Sequence, residues 1–267
     1  MQWKLAANLS MLFTEQPLLE RIAAATQAGF DGVEVQFPYG LPASDLQAEL
    51  QRQGMPLVLF NLPAGDLMDG GPGLAAVPGR ETAFAQALQQ ALDYADVLQP
   101  QKVNVLPGKL ARGVSEAQAL DTLEHNLRLT AEAFAPLGVA VVCEAINRLD
   151  MPGFLLASSA ELAAMLARVA HPNLSAQLDF YHMARMGEPV ALSVRQLAGQ
   201  IGHVQFADVP GRGAPGSGEL DFRAAFQALD SADYRGWLAA EYRAAKGETD
   251  RLAWLAAWRA AGWVAPR

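Results

Sequence analysis

The chain has 267 residues, 51% of them hydrophobic, which is enough for one large domain with a single core spanning residues 1–267. Twenty basic against 28 acidic residues give a net charge of −8 with no basic run, and this argues against nucleic acid as a partner. One cysteine excludes an internal disulfide framework, no apolar run reaches the roughly 20 residues of a membrane span, and the first residues lack the apolar stretch of a signal peptide, so a cytoplasmic protein with no membrane partner is expected.

Lys4 to Asn8 reads as a short strand, and Pro17 to Ala28 then carries Leu18, Leu19, Ile22 and Ala25 at helical spacing before Gly29 stops it. Gly32 to Gln36 alternates, Ser44 is placed to cap a helix through Gln53, and Pro56 to Phe60 is the next strand. Asn61 to Arg80 is rich in Gly and Pro and marks a functional loop, because periodic structure resumes at Glu81. A helix over Arg80 to Val97 leads to a strand at Lys102 to Leu106. Ser115 with Gln118 forms a capping box for a helix to Ala135. Val139 to Glu144 is a strand, Ser158 to Val169 a helix, and Leu174 to Asp179 a strand. A helix over Val190 to Ala198, a strand over Ile201 to Gln205, a helix over Asp221 to Leu229, a strand over Gly236 to Glu241 and a helix over Thr249 to Ala260 complete the chain. Eight strands and eight helices in strict alternation, at about 33 residues per unit, predict a single-domain (β/α)8 barrel of the α/β class rather than a doubly wound sheet. Gly211 to Gly216 matches G-x-G-x-x-G literally, but no helix opens within it, so it reads as an active-site loop and not as a dinucleotide fingerprint.

Four of the strands end on an oxygen-bearing side chain. Glu144, Asp179, Gln205 and Glu241 close strands five to eight at intervals of 35, 26 and 36 residues, each matching one βα unit. In a parallel barrel the carboxyl ends of the strands form the functional face, and neighbouring strands lie about 4.8 Å apart, so these four can converge on one ion. Strands five and eight are three places apart on the ring, which sets the two glutamates facing each other. Three carboxylates and an amide oxygen suit Mg2+ or Mn2+ better than Zn2+.

The segments Ala7 to Phe13, Asn61-Leu-Pro-Ala-Gly-Asp66, Val77 to Glu81, Asp179-Phe-Tyr-His-Met183, Ile201 to Gln205 and Pro215 to Glu219 together resemble the hydroxypyruvate isomerase family, within the xylose-isomerase-like TIM barrels. The resemblance covers nearly the whole chain and extends to 2-oxo-tetronate isomerases. It implies a divalent ion held by Glu144, Asp179, Gln205 and Glu241, with Glu144 and Glu241 as the catalytic proton-transfer pair. The family often has a histidine immediately before the Asn-Leu-Pro-Ala-Gly-Asp string, where this chain has Phe60. The implied reaction interconverts hydroxypyruvate and 2-hydroxy-3-oxopropanoate (tartronate semialdehyde) through an enediolate, a small 2-oxo or hydroxy acid being the partner molecule.

His182, three residues past Asp179, is the candidate for polarising a substrate oxygen, whereas His203 lies deeper and reads as a core histidine. Lys109, Arg80 and Arg212 border the mouth and are candidates for gripping the substrate carboxylate, and Asn61 is a further substrate-binding candidate. Cys143 should point away from the site, toward the helices. A ketose 3-epimerase on the same barrel and a non-catalytic, metal-dependent sugar-acid-binding protein are the rival readings; an endonuclease is disfavoured by four histidines and the acidic charge. The sequence leaves assembly as a homo-oligomer open.

Overall fold

A computed structural model describes residues 2–243 and 252–265. The strands are β1 (Lys4–Asn8), β2 (Gly32–Val35), β3 (Leu57–Asn61), β4 (Lys102–Val105), β5 (Ala140–Glu144), β6 (Leu174–Asp179), β7 (Ile201–Phe206) and β8 (Trp237–Ala240). The helices between and after them are α1 (Leu18–Ala28), α2 (Ala43–Gln53), α3 (Glu81–Leu98), α4 (Glu116–Phe134), α5 (Ser159–Val169), α6 (Phe180–Arg185), α7 (Val190–Gln196), α8 (Phe222–Ser231) and α9 (Ala253–Ala260). The strands pair in chain order, all parallel, and β8 closes onto β1 with Leu5 opposite Leu238, giving the (β/α)8 barrel that the alternation predicts.

Local chemistry sets the boundaries. Gly29 ends α1 at φ 95°, a left-handed conformation that an L side chain resists. Ser115 and Gln118 form the expected reciprocal cap at α4. Two expectations are corrected. Ser44 does not cap α2; the helix starts one residue earlier, at Ala43, behind Pro42, whose fixed φ already suits helix entry. The unit after β6 holds two helices, because Asp179 accepts a hydrogen bond from the Tyr181 backbone N–H and so starts α6 directly at the strand end. The expected last helix begins at Ala253 among the described residues; its first residues, Thr249 to Arg251, lie outside them.

Most apolar side chains pack between the sheet and the helices in one large cluster, while Ala6, Val58, Leu59, Val142, Trp237 and Ala239 form a separate small one. On β5 the alternation separates the two: Val141 and Cys143 join the large cluster, Val142 the small one, and Glu144 follows Val142 into the barrel. Cys143 is buried on the helix side, as expected. Behind β7 and β8, Trp254 and Trp258 stack with Phe206, Phe222 and Phe226, with ring pairs contributing about 1 kcal/mol each beyond area burial. Fully buried Tyr242 receives the indole N–H of Trp254 at 3.0 Å and is thereby fixed on the outer side. The preceding residue, Glu241, is turned inward by the same alternation.

Candidate active site

The barrel mouth encloses a cavity of about 440 Å3 whose wall includes Glu144, Gln205, Glu241, His182 and Arg212. Asp179 reaches the same place through contacts to His182 and Arg212. The structure therefore brings together the four strand-end residues singled out in the sequence, all at most 4% exposed. Asn61 lines the cavity as well, and its side-chain oxygen accepts from Asn104 at 3.2 Å. Lys109 and Arg80 stand outside it. Arg80 pairs with Asp66 at 3.0 Å and donates to the Gly73 carbonyl, and Lys109 reaches the Gly70 carbonyl at 3.3 Å, so both brace the loop after β3. Phe60 packs edge-on against Tyr39 in the outer core and is not part of the cavity wall.

The two glutamates are held in the same manner. Glu144 Oε2 accepts the side-chain amides of Asn104 at 3.0 Å and Gln177 at 2.8 Å, leaving Oε1 turned toward His182. Glu241 Oε1 accepts the amides of Asn8 at 3.0 Å and Gln36 at 2.7 Å, leaving Oε2 to the Arg212 guanidinium at 2.7 Å. One oxygen of each carboxylate is thus immobilised by two N–H donors while the other faces the site. Asn8, Gln36, Asn104 and Gln177 did not emerge from the sequence. The available signal was strand alternation, since Gln177 sits two residues before Asp179 and Gln36 two after Glu34.

Arg212 is delivered by the loop after β7. Asp208 gathers that loop by accepting the backbone N–H groups of Val209, Gly216, Gly218 and Leu220. Arg212 itself sits at φ 54°, a conformation costing a non-glycine residue about 1 kcal/mol, and its carbonyl is tied to the Arg243 N–H at 2.8 Å. Its guanidinium lies 5.1 Å over the Tyr181 ring and also approaches Asp179 at 3.4 Å.

Burial and crowding dominate the electrostatics. Burial, then the charges of Glu241 and Asp179, hold the Glu144 carboxyl well above its ordinary range. Asp179 is raised by burial against the opposing pull of Arg212. Glu241 is pushed up to about 7 by burial, with Arg212 opposing and Asp179 adding. Burial alone would lower the Arg212 guanidinium, but the surrounding carboxylates outweigh it and keep it charged. Three buried carboxyls share one guanidinium, and no lysine or arginine among the described residues comes within 4 Å of Glu144. Such a site favours a further cation.

Glu144, Asp179 and His182 each offer an atom within 4.8 Å of the others, a spacing that fits a metal ion. The role of His182 is decided by its other nitrogen. The Asp150 N–H donates to Asn147 Oδ1 at 2.8 Å, which fixes that amide; its Nδ2 then donates to Asp150 Oδ2 at 3.0 Å and faces His182 Nδ1 at 2.7 Å. His182 Nδ1 is therefore the acceptor. Burial, with Arg212 adding, holds the imidazole neutral, well below its usual protonation range. The single ring proton then sits on Nε2, which points at Asp179 at 3.5 Å and Glu144 at 3.9 Å. A protonated Nε2 donates a hydrogen bond and does not ligate an ion.

The family model described as "Xylose isomerase-like TIM barrel" matches residues 22–261. The chain belongs to the xylose isomerase-like TIM barrel family. Within it, the chain is 38% identical to a hydroxypyruvate isomerase of Escherichia coli K12 over 96% of this chain and 99% of the relative. It is 39% identical to a 2-oxo-tetronate isomerase of Cupriavidus necator over 94% of this chain and 97% of that one. A crystal structure from Brucella melitensis, titled an AP endonuclease of family 2, superposes with a TM-score of 0.91 at 38% identity, covering 96% of this chain and 99% of that one. This xylose isomerase-like barrel, like its named relatives, is an isomerase. No helix among its described residues is long and apolar enough to cross a membrane.

Proposed function

We propose that this barrel is a divalent-metal-dependent isomerase that interconverts hydroxypyruvate and 2-hydroxy-3-oxopropanoate, moving a proton between adjacent carbons through an enediolate. The observation that carries this reading is the matched holding of Glu144 and Glu241: each has one oxygen fixed by two amides and the other facing the cavity. A proton transferred between two carbons needs an acceptor and donor held in place on the substrate, and paired carboxyls whose burial raises them above the ordinary carboxylate range provide them. Glu144, Asp179, Gln205 and Glu241 would hold Mg2+ or Mn2+, which supplies Lewis-acid stabilisation of negative charge on the substrate oxygens.

The chain's own residues account for the remaining requirements. The Nε2–H of His182 donates to a substrate oxygen on which charge develops. Arg212 offers a planar fork for the substrate carboxylate, exchanging its contacts to Glu241 and Asp179 for the acid. Asn61, on the cavity wall, donates or accepts at a hydroxyl. Glu144, Glu241 and His182 are nearly fully buried, which limits the access of water to the proton path.

A second reading, isomerisation of a 2-oxo-tetronate, is supported by the near-equal identity to relatives of both names and by a cavity larger than a three-carbon acid fills. Turnover of hydroxypyruvate, 2-oxo-tetronate and a ketose, each with and without chelator, tests both. Chelator-sensitive conversion of an acid with solvent deuterium entering the product is expected. Conversion of the ketose alone would support a 3-epimerase. Binding without deuterium exchange would support a sugar-acid-binding protein, and either result would end the isomerase proposal.

A further inference from the structure

Glu34 is fully buried inside the barrel on β2, and nothing in the proton-transfer chemistry uses it. Its strand neighbours are β1 and β3, yet its carboxylate crosses the barrel to β7. Oε2 accepts the Gln205 amide N–H at 2.9 Å and the Asn8 amide at 3.2 Å, while Oε1 is taken by His203 Nε2. A carboxylate accepts and does not donate. The end of the Gln205 amide beside Glu34 must therefore be the NH2 group, and Oε1 must face the other way.

The opposite side of the amide agrees independently. Gln177 Nε2 donates at 2.8 Å to Glu144 Oε2, which also accepts the Asn104 amide, and the same nitrogen donates at 2.7 Å to Gln205 Oε1. A carbonyl oxygen has two lone pairs, so Oε1 keeps one for an ion after accepting from Gln177. An amide presented the wrong way round would turn N–H groups toward a cation and repel it. Neutral Gln205 therefore needs an orienting partner where an aspartate or glutamate in its place would not.

We propose that Glu34, itself held by His203, is the positioning residue that makes Gln205 a metal ligand, by forcing its amide oxygen toward the site. The inference rests on the metal-site reading above and adds to it a residue remote from the substrate. It predicts a specific rescue. E34Q replaces two acceptor oxygens with an amide that can present either C=O or N–H to Gln205, so the orientation is no longer dictated, whereas the exchange E34Q/Q205E puts an oxygen toward the ion whichever way the introduced carboxylate turns, and gives that carboxylate an amide donor behind it.

The test is calorimetric titration of metal-free protein with Mn2+, with near-UV circular dichroism confirming the fold of each variant. Wild type should bind, E34Q should bind about 10–100-fold more weakly, and E34Q/Q205E should return to within about tenfold of wild type. A merely structural role for Glu34 would not yield the recovery. Affinity of folded E34Q within about threefold of wild type, or an exchanged pair no tighter than E34Q, would overturn the proposal while leaving the metal site standing. Absence of Mn2+ binding by wild type would remove both. Should E34Q not fold, the exchanged pair is compared with wild type directly, and a loss greater than about tenfold overturns the proposal.

Discussion

Replacing Arg212 with glutamine should reveal how much of the metal-free protein's stability depends on one guanidinium. The side chain is 18% exposed and pairs with Glu241 and Asp179, which are nearly fully buried. Breaking a buried ion pair costs about 3–5 kcal/mol, and the partial exposure places Arg212 near the lower end, about 3 kcal/mol. At about 2–4 °C per kcal/mol for a chain of this size, the melting temperature in chelator at pH 8 should fall by about 6–12 °C. The pH dependence follows from the shifts. Glu241, with a folded pKa near 7, keeps a proton that the unfolded chain releases above its ordinary value of 4.5, so its contribution to stability is present below 4.5 and is lost as pH rises to about 7. Arg212 opposes that rise, and removing it carries the loss to higher pH, so the difference between variant and wild type should be largest at pH 8 and much smaller at pH 5. Added Mn2+ supplies the missing positive charge and should narrow the pH 8 gap, while the variant should bind the ion more tightly because the guanidinium no longer competes for the same oxygens. Thermal scanning at both pH values, with chelator and with Mn2+, reads all of this. A fall of less than 2 °C at pH 8, or an equal fall at both pH values, would refute the assignment of Arg212 as the buried counter-charge.

E144Q and E241Q should each lower turnover by at least about 100-fold and abolish solvent deuterium incorporation; near-normal turnover in both would remove the proton-transfer pair. Because the Glu241 carboxyl retains a proton up to about pH 7 and burial also raises Glu144 and Asp179, metal binding must displace protons, and apparent Mn2+ affinity should rise by about tenfold or more per pH unit between 5.5 and 7. Calorimetry showing a flat affinity over that range would contradict the shift. N147D replaces the donor facing His182 Nδ1 with an acceptor, which should draw the ring proton to Nδ1 and leave Nε2 with a lone pair. Turnover should fall about 100-fold and the imidazole 15N shifts should exchange; unchanged shifts would show that Asn147 does not set the tautomer.

The barrel and its four strand-end oxygens were legible because both depend on periodicities that a single strand or helix carries within itself. Glu144, Asp179, Gln205 and Glu241 each follow an apolar run, and the spacing of the runs places them on one rim. Alternation also separated Cys143 from Glu144 correctly. Lys109 and Arg80 were placed at the mouth by position in the chain, but sequence position does not show that Asp66 and the carbonyls of Gly70 and Gly73 claim them first. The short helix α6 escaped because six residues are too few to display a helical period, and its origin is the Asp179 side chain. The amide network escaped for a different reason. Asn8, Glu34, Asn61, Asn104, Glu144, Gln177, Gln205 and Glu241 come one from each strand or its end, and hydrogen bonds link them in sequence around and across the barrel. Which of them touch depends on strand stagger, including the register shifts after Val33 and Ala176, and on a contact between β2 and β7 that no local pattern encodes. An isolated Asn or Gln in a strand looks like a weak strand former; here five amides and three glutamates at one level of a closed barrel are linked by hydrogen bonds, and the amide N–H donors help Glu34, Glu144 and Glu241 remain buried, while Asn104 Oδ1 and Gln177 Oε1 are left without a partner among the described residues.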